Sequence, residues 1–490
     1  MHRGTIERSD TARRACESNR RLRRSSRFGA AMLVAFIAAA STLRAADGDY
    51  DAAWGAGGRL LVDLAPLDDL GVTLAVQRDG KLVLGGHCGT APGRYGLCAA
   101  RLRRDGQLDL TFGANETGRT LLVDHPEFAS YDSRFGLHGL ALQADGRVLM
   151  AGTWICGNWS GCRAGLLARL DATGRVVPNP FEPQNSVTFS YHTSQTYNVA
   201  QAVVVARDGK IVVAGETNRA GSNPANRDFG IARLNADLSP DESFGNGGAR
   251  VGAFDLGGDY ADGARDVLVL ADGSIVACGY ARGTDGRLKA AVLKLRADGS
   301  ADPSFGNGGR TWFEGTASPG NIVINAIALD RRGRVLVAGA RQIWDSADHD
   351  FFVARLGADG QLDASFGIAS VAIDIAAPFT DEAWSLLPQG DGKILVVGSA
   401  TYDNVPNYTF AVARLNEDGR RDVGFGVGGV IVGTFAPASQ STVRSDIAYS
   451  SAIGNGGLLL AGNGRAQGGD IRFGVARLQM DAIFADGYEP

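Results

Sequence analysis

The sequence predicts an all-β fold, a seven-bladed β-propeller with four antiparallel strands per blade, closed by an N-terminal strand that completes the last blade. Three observations predict it. A phrase made of an Asp-Gly-type turn, an apolar run such as Lys210-Ile211-Val212-Val213-Ala214-Gly215 and a segment ending Ala-Arg-Leu is written seven times. Its turns stand at Asp79, Asp145, Asp208, Asp272, Arg332, Asp391 and Asn455, each followed by glycine, with spacings of 59 to 66 residues. So regular a period marks a repeat architecture, and nowhere in it does the 3.6-residue apolar period of a helix appear.

The chain before the repeats differs from them. Residues 1–46 are arginine-rich from Arg3 to Arg27 and apolar over 28–40. A basic segment followed by about 7–15 apolar residues reads as a secretion signal, too short to cross a bilayer core of about 30 Å. Cleavage is expected after Ala40 or Ala46. Arg20-Arg21 and Arg23-Arg24 lack the continuation of a twin-arginine signal, which favours the general secretion route. The propeller is expected over 47–480, and 481–490, with Ile483, Phe484 and Tyr488, breaks the repeat as a C-terminal tail.

Within a repeat, Ala202-Val203-Val204-Val205 and Lys210-Ile211-Val212-Val213 flank Asp208-Gly209 as a hairpin. Strands apolar on both faces are covered on both faces, so this hairpin lies inside. Phe229-Gly230-Ile231-Ala232-Arg233-Leu234 supplies a third strand, and a fourth lies between Asp241 and Phe254. A Ser-Phe-Gly element recurs around Phe112, Phe244, Phe305, Phe366 and Phe425 and is missing after the last Arg477-Leu478. It stands alone instead at Ala53-Trp54-Gly55, so residues about 49–64 are expected to form the outer strand of the seventh blade and remove two free sheet edges.

Charges repeat in the same register. An aspartate follows the repeat arginine by eight residues, giving Arg101 with Asp109, Arg233 with Asp241, Arg355 with Asp363 and Arg414 with Asp422. A short hairpin would set each pair side by side as a structural ion pair, and the N-terminal copy places Asp51 opposite Arg477. Cysteines recur too: Cys88 with Cys98, and Cys156 with Cys162, each bracket one inter-strand loop, predicting two disulfides in an oxidising compartment. Zinc would want closer ligand pairs with histidines. Cys278 reads as a buried free thiol.

The string Asp-Gly-Lys-Ile-Val-Val-Ala-Gly, then Asp-Phe-Gly-Ile-Ala-Arg-Leu, then Ser-Phe-Gly-Asn-Gly-Gly resembles the delta-60 repeat of bacterial exported proteins. More distantly it is similar to the NHL repeat. The resemblance covers about 49–478 and implies a β-propeller in a family without assigned activity. It brings no catalytic residues.

A formal charge of -4, from 49 basic and 53 acidic residues, gives no field for nucleic acid. Both tight turns of a blade share one end of its strands, so the long variable loops share the other. Loops on a rigid scaffold are where binding sits, and these carry Trp154, Trp159, Tyr280, Trp344, Tyr402, Asp348 and His349. Side chains that merely cover blade edges would look the same in sequence. Ten residues before the turns stand Asp69, Asn198, Asp262 and Asp381, oxygen donors suited to a hard cation such as calcium or to capping turn backbone. No other cofactor is expected.

These observations favour an exported binding propeller, periplasmic, cell-surface or secreted. Its expected partner is an envelope or extracellular protein or a glycan. It is expected to be monomeric and, once the signal is removed, not a membrane protein. A carbohydrate-active lyase or glycosidase and a purely structural surface spacer are the competing readings.

Overall fold

In the computed structural model the described residues are 47–480, except 93, 123–133, 156–162, 179–185, 190, 192–196, 219–225, 316–319, 343–347, 374–379, 402–406 and 437–444. The expected signal, the C-terminal tail, the Cys156–Cys162 pair, Trp159, Trp344 and Tyr402 lie outside them.

Twenty-eight strands and one short 3-10 turn, Ala114–Glu116, make up the regular structure of the described residues. Each repeat folds into a four-stranded antiparallel group. In the third, the innermost strand Asn198–Val205 pairs with Ile211–Asn218, which pairs with Arg227–Leu234, which pairs with the outer Ala249–Gly252. The second strand is buried along its whole length, including its polar end Glu216-Thr217-Asn218. Gly209, at φ 82°, makes the hairpin turn in a left-handed conformation that suits glycine.

The other innermost strands are Asp69–Val76, Arg134–Leu142, Gly257–Val269, Ile322–Leu329, Asp381–Pro388 and Ile447–Gly454. Each packs beside the next, and Ile447–Gly454 packs beside Asp69–Val76. The outer partner of the last third strand, Ile471–Gln479, is the N-terminal strand Arg59–Val62, with Arg59 opposite Ala476 and Val62 opposite Phe473. The turn that is continuous in other groups is here shared between distant residues. Gly48 donates to the Gln479 carbonyl at 2.7 Å, and Gln479 donates to the Asp49 carbonyl at 2.7 Å.

The Ser-Phe-Gly element latches one group to the next. Phe112, Phe244 and Phe305 are fully buried, and the glycine after each donates to a carbonyl in the neighbouring group's third turn. These bonds run from Gly113 to Thr173 at 2.7 Å, Gly245 to Asp298 at 2.9 Å and Gly306 to Asp359 at 2.7 Å. Gly55 makes the same bond to Asp105 at 3.1 Å, so the N-terminal element latches onto the first group. The fit is tight: a Cβ on Gly174 would stand 2.7 Å from the Phe112 ring.

The repeat arginines serve this junction as well. Arg101 Nε lies 2.8 Å from Asp109, Arg233 2.7 Å from Asp241, Arg355 2.8 Å from Asp363, Arg414 2.7 Å from Asp422 and Arg477 3.3 Å from Asp51. The hairpin that was expected to set these pairs is not a strand pairing. Beyond a single bridge, Leu102 to Leu108, the chain hooks back so that Asp109 N donates to Arg101 O at 2.8 Å. The guanidinium then reaches across: Arg101 Nη1 donates to Ala172 O at 2.6 Å and Arg355 Nη1 to Glu417 O at 2.7 Å, both in the next group's turn. Arg169, which has Val177 where an aspartate would stand, keeps this outward bond, to Ala236 O at 3.0 Å.

Cys88 and Cys98 are joined with Cα atoms 5.9 Å apart. They tie the first repeat's second and third strands, Leu82–Ala91 and Arg94–Leu102, across buried positions. Cys278 is buried and unpaired by any disulfide.

Candidate functional site

In each of the seven innermost strands of the described residues the pairing with the second strand slips at the same place, and Gly257–Val269 slips a second time between Gly257 and Asp262. The slips fall between Gly71 and Thr73, Leu137 and Gly139, Ala200 and Ala202, and Ala264 and Asp266. They recur between Ile324 and Ala326, Ala383 and Ser385, and Ala448 and Ser450. A bulge leaves one residue out of the ladder and re-aims its side chain. The residues so released are Val72, His138, Gln201, Arg265, Asn325, Trp384 and Tyr449.

The glycine repeated in every second strand explains the bulge. Beside each slip an inner-strand carbonyl presses onto that glycine. A Cβ would meet Val199 O at 1.8 Å on Gly215, Gly263 O at 1.9 Å on Gly279 and Val323 O at 2.0 Å on Gly339. The remaining four, Gly86, Gly152, Gly398 and Gly462, meet Leu70, Gly136, Glu382 and Ile447 carbonyls in the same way. Glycine is needed here for close approach, not for a positive φ.

The released side chains, together a collar on the innermost strands, interact with one another and with their neighbours. Trp384 and Tyr449 meet edge to face with centroids 5.3 Å apart. Asn325 Nδ2 donates to Glu382 at 3.3 Å and to Ala383 O at 3.0 Å. His138 keeps solvent exposure although protein atoms crowd around it. Desolvation pushes its imidazole down to about 3, aided by the charges of His87, Arg265 and Arg163. It is therefore neutral at pH 7.

A second register adjoins the first. The residue after each second-strand glycine is His87, Thr153, Glu216, Tyr280, Ala340, Ser399 or Asn463, polar in six of seven copies inside an apolar strand. Glu216 is its centre and is buried at 2% exposure. Its carboxylate accepts from Arg227 Nη1 at 3.1 Å, from Tyr197 at 3.3 Å and from Tyr280 at 3.2 Å, and Arg265 Nη2 lies 3.8 Å away. Gly263, one strand over, leaves the space: a Cβ there would stand 2.8 Å from Glu216. Burial, then the Glu216 charge, pushes the Tyr197 and Tyr280 phenols up, so both are donors at neutral pH. Arg163 and Arg227 stack over the Tyr197 ring at 5.6 and 5.2 Å, and Arg265 over Tyr280 at 5.3 Å.

Of the residues singled out in sequence, Tyr280 belongs to this cluster. Trp154 lies on the second strand of the second group, opposite Phe135 and next to Thr153. Asp348 and His349 stand at the start of the fifth group's third strand, two groups from Glu216, where His349 Nδ1 is 3.4 Å from Thr380 Oγ1. Arg227, Arg265, Tyr197 and Glu216 were not singled out. The available signal was Glu216, a charge directly after the apolar run Ile211-Val212-Val213-Ala214-Gly215.

The oxygen donors Asp69, Asn198, Asp262 and Asp381 are turned onto backbone, not toward one another. They accept from Leu64 N at 2.6 Å, Tyr191 N at 3.3 Å, Phe254 N at 2.8 Å and Ile373 N at 2.8 Å, each bracing the crossing into its innermost strand. Asp446 does the same for Phe435 N at 2.8 Å in the seventh group. Desolvation pushes Asp69 up to about 6 and Asp262 up to about 7. Among the described residues no three His, Cys, Asp or Glu side chains are grouped to hold a metal ion.

Five segments match one family model. Residues 77–112, 206–244, 270–305, 333–366 and 389–425 match a domain of unknown function (DUF5122) beta-propeller. Each match runs from the first tight turn to the latch phenylalanine, so the matched unit holds the bulge-making glycine and the repeat arginine or lysine. No curated protein matches the chain. Among solved structures, the chain is similar to a catalytically inactive virginiamycin B lyase from Staphylococcus aureus with quinupristin, at 11% identity and TM-score 0.39, covering 85% of this chain and 98% of that one. It is similar to the polysaccharide lyase Uly1 at 12% identity and TM-score 0.42, covering 87% and 93%. A Trypanosoma rangeli sialidase in complex with the inhibitor DANA matches at 10% identity and TM-score 0.40, covering 84% of this chain and 55% of that one. At these scores no argument about activity rests on them.

Proposed function

We propose that the chain is an exported, closed seven-bladed β-propeller, residues 47–480, that binds a ligand at the loop end of its axial channel. One observation carries the reading. At a single register, seven equivalent backbone bulges present seven different side chains, while the turns, latch and bulge-making glycines around them repeat. A spacer would gain nothing from such variety, whereas a binding site needs it.

Ring closure is supported by the packing of the first innermost strand on the last and by the Gly55 latch. Further support comes from Ser450 Oγ, which accepts from Leu74 N at 3.3 Å between the seventh and first groups. Export is supported by the Cys88–Cys98 disulfide, which belongs to an oxidising compartment, and by the basic-apolar pattern of residues 1–46. No helix of the described residues is long and apolar enough to cross a membrane.

A glycosidase needs two carboxylates about 5–9.5 Å apart and free to act on substrate. Glu216 is engaged by two phenols and a guanidinium, and Glu382 by Asn325. Binding is therefore preferred over hydrolysis.

The test is a glycan array and an envelope-protein pull-down with the full chain beside its Trp384→Ala and His138→Ala variants. A ligand retained by the parent and lost by both variants supports the site. Retention by both variants removes the collar from it, and no ligand in either format favours the spacer.

A further inference from the structure

We infer that the cluster around Glu216 and Arg265 recognises a carboxylate-bearing saccharide, an acidic sugar held by guanidinium groups on one wall and an aromatic pair on another. This rests on the binding reading above and names its ligand class.

The cluster carries more positive charge than it neutralises. Arg163, Arg227 and Arg265 gather about the tyrosines bonded to a single carboxylate, Glu216. Arg227 takes the direct hydrogen bond to it at 3.1 Å. Arg265 stands off at 3.8 Å, too far for a hydrogen bond, and its Nε has no partner. Its fork is oriented by the Tyr280 ring beneath it but not used up by Glu216. Arginine in this state fits a planar carboxylate, which it can meet with two parallel N–H bonds.

Glu216 acts as a positioning residue. The buried Tyr280 phenol, the half-buried Tyr197 phenol and Arg227 fix it, and it fixes the cations in turn. Without it three guanidinium groups would repel one another; against them stand Glu216 and, interacting with Arg265, the Glu382 carboxyl that burial pushes up, so the local balance remains positive and an anion is attracted.

The collar supplies the rest of a sugar site. Arg265 is itself one of the bulge-released residues, so the cationic wall and the collar are continuous. Trp384 and Tyr449 offer aromatic surface suited to the apolar face of a sugar ring. The Gln201 amide provides a donor and an acceptor for hydroxyls, and Asn325, whose Nδ2 is given to Glu382 and Ala383 O, provides its Oδ1 as an acceptor. A free inorganic anion would not need the aromatic pair, and a neutral sugar would not need three arginines.

The experiment is calorimetric titration of the full chain with oligogalacturonate, oligoalginate and hyaluronan tetrasaccharides, each beside its methyl ester. An aspartate-rich peptide serves as competitor. At least one acid is expected to bind and its ester to bind at least ten times more weakly. Arg265→Gln should weaken the acid by roughly 10- to 100-fold, the range for charge-assisted hydrogen bonds, while Arg265→Lys loses less. Circular dichroism and melting temperature of each variant separate lost binding from lost folding.

Equal binding of acid and ester, with Trp384→Ala still disruptive, overturns the carboxylate inference and leaves the collar site standing. Displacement of the sugar by the acidic peptide at equal concentration overturns the saccharide assignment. Failure of every acid while a neutral glycan or protein binds at the collar overturns this inference alone. Failure of all ligands overturns both readings.

Discussion

Replacing Gly339 with alanine tests the account of the bulges directly. The new Cβ would lie 2.0 Å from the Val323 carbonyl oxygen and 3.0 Å from Val323 C and Ile324 Cα. More than 1 Å of overlap must be relieved, and the obstacle is backbone, which cannot rotate aside as a side chain would. Two escapes exist. The strands can separate locally, sacrificing ladder hydrogen bonds at about 1 kcal/mol each. Alternatively the bulge can be expelled, shifting the Ile322–Leu329 register by one and turning its buried side chains to the wrong face. Overpacked cores lose about 1–3 kcal/mol, and an immovable neighbour places Gly339→Ala at about 3 kcal/mol.

Urea denaturation followed by fluorescence measures the loss. The control is Gly333→Ala in the adjoining turn, where φ is 73° and nothing lies within 4 Å of the added carbon. That change strains the backbone without a collision and should cost about 1–2 kcal/mol. Ligand binding should fall in Gly339→Ala, because Asn325 leaves the collar, and survive in Gly333→Ala. If Gly339→Ala is within about 0.5 kcal/mol of the parent and binds unchanged, the steric origin of the bulge is wrong.

His138 and His87 are pushed down to about 3 and about 4 by desolvation, below the unfolded value of about 6.5. Their contribution to stability is complete above pH 6.5 and drains away as pH falls through about 4, so His138→Gln should flatten the fall in melting temperature over that window. Asp262 has the opposite sign: raised to about 7, it stabilises below its unfolded value of about 3.9 and loses that contribution as pH rises through 7. Asp262→Asn, the residue type the third repeat already uses at Asn198, should leave the chain more stable than the parent at pH 8 in chemical denaturation, and a lower midpoint there would count against the reading. Cys98→Ser opens a loop of separation 10 and should cost about 3 kcal/mol by urea denaturation under oxidising conditions, with little difference once both proteins are reduced.

The repeat, the strand order and the N-terminal completion of the last group were legible because each leaves a residue signature: Asp-Gly at a tight turn, Phe-Gly at a latch, Trp54-Gly55 displaced to the start. The arginine and aspartate pairs were legible as contacts but not as geometry, since an eight-residue spacing serves a hairpin and a hook equally. Asp69 and its equivalents were ambiguous because buried caps and metal ligands are the same residue types, and only the direction of the carboxylate separates them. The collar was not legible. A bulge has no residue of its own, and its marker, the second-strand glycine, read as part of a tight sheet. Glu216 alone left a signal, a charge directly after an apolar run.

The shared turn at Gln479 and Gly48 has a consequence in time. Arg59–Val62 is among the first strands to leave the ribosome and Ile471–Gln479 is the last of the described ones, so their pairing cannot form until nearly the whole chain has been made. Six groups can assemble from neighbouring sequence as synthesis proceeds, while the seventh waits for a contact more than 400 residues apart in the chain. During that interval the N-terminal strand is unpaired, an edge exposed to other chains. A protein built this way has a reason to delay folding until synthesis is complete, and its commonest misfolded form should be one in which the first strand of one copy completes the last sheet of another.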